Sequence, residues 1–140
     1  MKRKATIILL SFLTGYTGCR AQDNQKAVDE AVSAAEEWLA LVDNEKYGES
    51  WDEAAEYFKT AVSRDQWIQS IRNARKPHGK ILSRVLVSGE YKTTLPGVPE
   101  GEYVLIKFKA SFEKRISLTE SITPQLDKEG KWRVSGYYFR

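Results

Sequence analysis

The stretch "EYVLIKFKASFE", residues 102–113, decides the fold. Val104, Ile106, Phe108, Ala110 and Phe112 alternate strictly with Tyr103, Lys107, Lys109 and Ser111. Period-two alternation of apolar and polar side chains describes a β-strand with one face in a core and one in water. Before it, "LPGVPEG" is turn chemistry, with Pro96-Gly97 suited to the two central positions of a type II turn. After it, "DKEGK" supplies a hairpin turn at Gly130. Four antiparallel strands are therefore expected, over about Ile81–Thr94, Glu102–Glu113, Ile116–Leu126 and Lys131–Phe139. Gly89 is expected to mark a bulge that bends the first of them.

Upstream of Pro77 the period changes to that of a helix. Val28, Val32, Ala35, Leu39 and Val42 share one face of a helix over Gln25–Val42, which Asp43 and Asn44 end. A second helix is expected from Ser50, as N-cap, with Glu53 completing a capping box and Trp51, Ala54, Ala55, Phe58 and Val62 forming its stripe. A third starts at Ser63 with Gln66 in the box and Val62 stapled onto Trp67. Trp67, Ile71 and Ala74 are its apolar face, Arg75 and Lys76 complement its dipole, and Pro77 with Gly79 stops it. No internal repeat, low-complexity tract or linker interrupts the chain after residue 25. The expected class is α+β, three N-terminal helices packed on a curved four-stranded antiparallel sheet, cone-like in outline.

At the other end, Met1-Lys2-Arg3-Lys4, the short apolar run Ala5–Leu13 and the small residues Gly15, Thr17 and Gly18 have the order of a secretory signal peptide over residues 1–21. The apolar run is shorter than the roughly 20 residues of a spanning helix. Cys19, the sole cysteine, has two fates. Cleavage after Ala21 discards it; alternatively Tyr16-Thr17-Gly18-Cys19 resembles a bacterial lipobox, with Tyr16 where leucine is usual, and Cys19 carries a lipid. The expected protein is exported, either soluble or a periplasmic lipoprotein of the inner or outer membrane, with residues 22–140 as one domain.

Cleavage also changes the charge. The precursor has 22 basic and 19 acidic residues; loss of Lys2, Arg3, Lys4 and Arg20 leaves 18 against 19. A near-neutral domain offers no excess of phosphate-neutralising cations, so nucleic acid is not an expected partner. Membrane contact is expected only through the anchor at Cys19. With no second cysteine there is no disulfide, and roughly 120 residues must be held by one packed core.

Three stretches carry a family resemblance: "VSRDQW" (62–67), "LPGVPEGEYV" (95–104) and "WRVSGYY" (132–138). Together with the surrounding residues 35–140 they resemble the bacterial family called domain of unknown function 4019. The layout is similar to the nuclear transport factor 2 and cystatin-like group, and implies helices on a strongly curved sheet that can enclose a cone-shaped pocket. That group spans enzymes, binding proteins and accessory domains, so the resemblance leaves function open. His78 stands where the family suggests an aliphatic residue, which argues against a shared histidine chemistry.

No zinc-protease, redox-dithiol, nucleophile-elbow or nucleotide-binding motif occurs. His78, the single histidine, lies among basic residues that favour its neutral form and reads as a turn residue. One histidine and no further cysteine make a metal site unpromising, and no cofactor is expected. Glu120 breaks the pattern: it falls in register with Ile116, Leu118 and Ile122 on an apolar face, where a carboxylate must be paired or neutralised. Arg84, Arg133 or a tyrosine are its expected partners if structural. The other reading makes Glu120 line a pocket with Trp67, Trp132 and Tyr138, holding a small apolar ligand, or serve as an acid or base in a small enzyme. The four tryptophans, one per helix and one on the last strand, otherwise read as core anchors. Lys107, Lys109, Lys114 and Arg115 read as a solvated, edge-protecting face. The leading expectation is a non-enzymatic accessory or ligand-binding domain; a protein-interaction module using its sheet face or edge is the remaining alternative.

Overall fold

The computed structural model describes residues 17–140, so most of the expected signal peptide lies outside the described residues. Helix α1 (Thr17–Asp43) leads into two short helices, α2 (Tyr47–Asp52) and α3 (Glu56–Ala61), then α4 (Arg64–Arg75) and a 3-10 turn (Lys76–His78). Strands β1 (Ile81–Lys92), β2 (Tyr103–Phe112), β3 (Arg115–Leu126) and β4 (Trp132–Phe139) follow. They form one open antiparallel sheet in the order β1-β2-β3-β4. The class is the expected α+β, with the helices packed on one face of the sheet. Among the described residues no helix is long and apolar enough to cross a membrane.

The alternating face of β2 does what its pattern requires. Val104, Ile106, Phe108, Ala110 and Phe112 are all buried. Val104, Ile106 and Phe108 meet Ala31, Ala35, Trp38, Leu39 and Val42 of α1 in a core that extends to Ile122 and Val134, while Ala110 and Phe112 pack with Leu118 in a second, smaller cluster. Lys107 and Lys109 face solvent. Gly97 and Gly130 take φ of 77° and 79°, the left-handed conformations both turns demand. The α4 capping box also forms as the sequence indicates, Ser63 Oγ accepting from Gln66 N–H at 3.2 Å and Gln66 Oε1 from Ser63 N–H at 3.1 Å.

Other local expectations give way to tertiary contacts. Helix α1 is already formed at Thr17, eight residues before the expected start at Gln25, and Gln25 with Asp29 and Lys26 with Glu30 supply one-turn side-chain pairs. The single helix expected from Ser50 is instead two, because the chain between them is tied to the sheet: Ala55 N–H donates to Val134 O at 2.8 Å and Arg133 Nη1 reaches Glu53 O. Ser50 is no N-cap. It lies inside α2, fully buried, with its hydroxyl donating to Tyr47 O and accepting from Trp67 Nε1. In α4 the buried positions are Trp67, Ile71 and Arg75, while Ala74 is exposed.

Strand irregularities fall elsewhere than expected too. The shifts in β1 lie between Ile81 and Ser83 and between Leu86 and Ser88, not at Gly89. Gly89 is needed for a different reason: a Cβ there would sit 2.7 Å from Val28 Cγ1, so the glycine lets α1 cross close over β1. Near the start of β3, Ser117 at φ 66° accompanies a register shift that turns Ile116 outward, 83% exposed, and away from the Glu120 face.

Candidate functional site

Position 120 falls beneath α1 because β3 resumes strict alternation after Ser117, with Leu118, Glu120 and Ile122 all facing the helices. The Glu120 side chain is wholly buried. Its Oε1 accepts from Arg84 Nε at 2.6 Å, and its Oε2 accepts from Arg84 Nη2 at 3.2 Å and from the Tyr137 hydroxyl. Arg75 Nη2 adds an ion pair at 3.7 Å. Arg84 then continues to Asp43 at the end of α1, through Nη1 to Oδ2 at 2.8 Å and Nη2 to Oδ1 at 3.1 Å, and Arg75 Nη2 meets the same Oδ1 at 3.0 Å. Two carboxylates, two guanidiniums and one phenol thus form one closed group drawn from α1, α4, β1, β3 and β4. Its charges balance, which is the condition for holding ionised groups in a core.

The arrangement moves the protonation of its members in definite directions. Burial pulls the Arg84 guanidinium down, but the hydrogen bonds it donates to Asp43 and Glu120, with their negative charges, outweigh it and hold Arg84 more firmly charged than a free arginine. Burial, reinforced by the Glu120 charge, pushes the Tyr137 phenol upward from its usual 10.0. A raised folded-state value means that this phenol contributes stability fully below the unfolded value and loses it as pH climbs beyond about 10. Tyr137 should therefore ionise only as the domain unfolds. In an alkaline absorbance titration, the difference between the wild type and Tyr137→Phe should contain no reversible phenolate step before unfolding.

The four residues expected to share a pocket do not converge. Trp67 is a core residue, its indole N–H bonded to Ser50 Oγ at 2.9 Å and its ring 4.9 Å from Phe58 and 5.7 Å from Trp38. Tyr138 points to the opposite face of the sheet and is 57% exposed. Trp132 is half-buried on the wall of an open groove of about 730 Å³ between α1, α2 and β4, with Trp38, Glu37, Glu49 and Lys131 among its neighbours. Glu120 lines neither this groove nor the cleft of about 900 Å³ bounded by Asp43, Tyr47, Arg72, Arg75, Lys80 and Glu113. Of its expected partners, Arg84 and a tyrosine are present. Arg133 instead binds Asp127 at 2.7 Å and Glu53 at 3.3 Å.

His78 is half-buried, its ring 5.9 Å from Phe112 and 5.5 Å from Phe139. Burial first, then the charges of Arg115 and Arg75, lower its pKa and favour the neutral ring. Its backbone carbonyl accepts from Lys114 N–H, pinning the β2–β3 hairpin to the 3-10 turn. Among the described residues no group of three His, Cys, Asp or Glu side chains is arranged to hold a metal.

A family model described as protein of unknown function DUF4019 matches residues 34–137. The chain belongs to the DUF4019 family. The match runs from the middle of α1 almost to the end of β4, and so takes in every member of the Asp43–Arg75–Arg84–Glu120–Tyr137 group. No curated protein matches the chain. Two members of the group escaped sequence reasoning, and each had a signal. Asp43 follows Ala35 and Leu39 at four-residue spacing on the buried stripe of α1, and Arg75 follows Trp67 and Ile71 at the same spacing on α4. A charged residue that continues an apolar stripe is a candidate for a buried pair.

Proposed function

We propose that this DUF4019 domain is an exported accessory domain, tethered at the periplasmic side of a bacterial membrane through a lipid on Cys19, and that it acts by binding rather than by catalysis. The observation that carries the binding reading is the saturation of Glu120. Both of its oxygens are engaged by the chain's own Arg84 and Tyr137 and the side chain is wholly buried, so the one carboxylate that sequence reasoning offered as an acid or base is out of a substrate's reach. The space between helices and sheet is filled by aromatic rings, Trp38 lying 5.5 Å from Tyr137 and 5.7 Å from Trp67. What this domain offers a small apolar ligand or a protein is therefore its surface: the Trp132 groove and the apolar side chains exposed along β1.

The tether reading is supported by the first turns of α1. Cys19 to Lys26 are exposed, and Val28, packed over Gly89, is the first α1 side chain seated against the sheet. The nine residues Cys19–Ala27 make a polar helical arm of roughly 13 Å. Such an arm spaces a folded domain from a lipid surface.

Fractionation with intact mass tests the tether. The mature protein should sediment with membranes and carry a mass increment for diacylglycerol and an acyl chain on Cys19, while Cys19→Ser should move it to the soluble fraction. A mature chain beginning at Gln22 contradicts the anchor and leaves the binding reading to be judged on Glu120 alone.

A further inference from the structure

The two edges of the sheet are treated differently. β4 is short, and its edge is closed where Ala55 N–H donates to Val134 O on the way into α3. β1 is twelve residues long, pairs only with β2, and has no lysine or proline between Ile81 and Tyr91 to discourage further pairing. Instead Leu82, Val85, Leu86 and Val87 are 67%, 62%, 45% and 61% exposed. These exposed apolar side chains, three of them consecutive, on an open strand edge are a surface built for another strand.

The pattern along β1 says which strand. Its pairing with β2 assigns Ile81, Arg84, Leu86 and Gly89 to the helix-covered face, opposite Phe112, Ala110, Phe108 and Ile106. Ser83, Val85, Ser88 and Glu90 take the outer face, and the two register shifts leave Leu82 and Val87 as the extra residues. A two-fold axis beside Val85 maps the helix-covered set onto itself. Ile81 of one copy lies opposite Gly89 of the other, Arg84 opposite Leu86, and Val85 opposite Val85.

The same operation sets each extra residue, Leu82 and Val87, against a serine, Ser88 and Ser83 in turn. It also brings Lys80, for which the described residues give no ion-pair partner, to Glu90 of the other copy at both ends. A strand whose helix-covered positions map onto themselves in reverse, and whose Lys80 meets Glu90 even though Glu90 also pairs with Lys92 at 2.8 Å in its own chain, suits an isologous contact. We infer that β1 is a homodimer edge: two copies join antiparallel through β1 about Val85, making one eight-stranded sheet. The inference is independent of the anchor at Cys19.

The test uses the full chain carrying Cys19→Ser, which removes the native thiol. Sedimentation equilibrium should give twice the protomer mass. Val85→Lys, at an exposed position that leaves the circular dichroism unchanged, juxtaposes two cations on the axis and should weaken the dimer on the order of 100-fold. Val85→Cys should lock into a disulfide dimer on mild oxidation, because residues facing each other across an antiparallel pair lie roughly 4.5 to 5.5 Å apart at Cα, within disulfide reach. Ser88→Cys, displaced three residues from the axis in each copy, should not. A monomer at every accessible concentration overturns the inference. So does a dimer indifferent to Val85→Lys and not locked by Val85→Cys, or co-purification of a monomer with a foreign polypeptide on this edge.

Discussion

Replacing Glu120 with alanine is expected to cost about 3–5 kcal/mol of folding stability, the largest effect of any single substitution of a charged residue in this domain. The reason is the charge count inside the closed group. With Glu120 gone, Arg84 and Arg75 share only Asp43, so one positive charge remains uncompensated in a site where Arg84 is 14% and Arg75 7% exposed. Tyr137 also loses the acceptor for its buried hydroxyl. Against the 5–15 kcal/mol typical of whole domains, such a loss removes much of the total. Glu120→Gln should be milder, because the amide keeps the shape and an acceptor oxygen, yet still clearly destabilising. By contrast, Glu56→Ala on an 89% exposed side chain should stay within roughly 0.5 kcal/mol. Urea unfolding of the three variants checks the ranking.

Trp38→Ala is the second large effect, of about 3–5 kcal/mol. Trp38 is 4% exposed and is the hub of the aromatic filling, edge-on to Phe58 at 6.3 Å and to Tyr137 at 5.5 Å, and tilted against Trp67 at 5.7 Å. Truncation opens a cavity where α1 meets both α4 and β4. It also strips the indole N–H from Ser50 O, a 2.8 Å hydrogen bond in a buried setting. Trp38→Phe separates the two contributions. The ring is largely kept while the hydrogen bond is lost, so the cost should fall to about 1–3 kcal/mol from the unpaired carbonyl and the smaller ring. If alanine and phenylalanine unfold alike, ring packing is not what holds α1 in position.

How much of this could be read in advance follows the range of the forces involved. The four strands, both glycine turns and the α4 capping box were legible because alternation, positive φ and reciprocal caps are local properties written into a few neighbouring residues. The break between α2 and α3 was not, since it is imposed by Val134, about 80 residues downstream, which draws Ala55 into a sheet-edge hydrogen bond. Ser50 misled for the same reason: Tyr47 and Trp67 engage the hydroxyl that a capping pattern assigns to the helix start. Ile116 was misassigned because one left-handed residue, Ser117, reverses the alternation before it.

At the candidate site, Glu120 announced itself as a charge on an apolar face, and Arg84 was named as a partner. Which role that charge has depended on Asp43, Arg75 and Tyr137, residues from three other elements whose convergence no spacing rule contains. The apolar exposure of β1 was hidden differently. Leu82, Val85, Leu86 and Val87 look like core material in sequence, and only the sheet order reveals that β1 has no neighbour on that side.

The central claim is that Glu120 serves the fold and is spent within it, leaving this DUF4019 domain to work through its surface. A double-mutant cycle in equilibrium unfolding tests it most directly, using Glu120→Leu, Arg84→Met and the two combined. Two charge-assisted hydrogen bonds in a desolvated site, of 2.6 Å and 3.2 Å, predict a coupling of at least about 1.5 kcal/mol, with the double variant more stable than the sum of the single losses implies. Independent, additive losses would mean that Arg84 does not hold the carboxylate in solution, and Glu120 would again be free for chemistry.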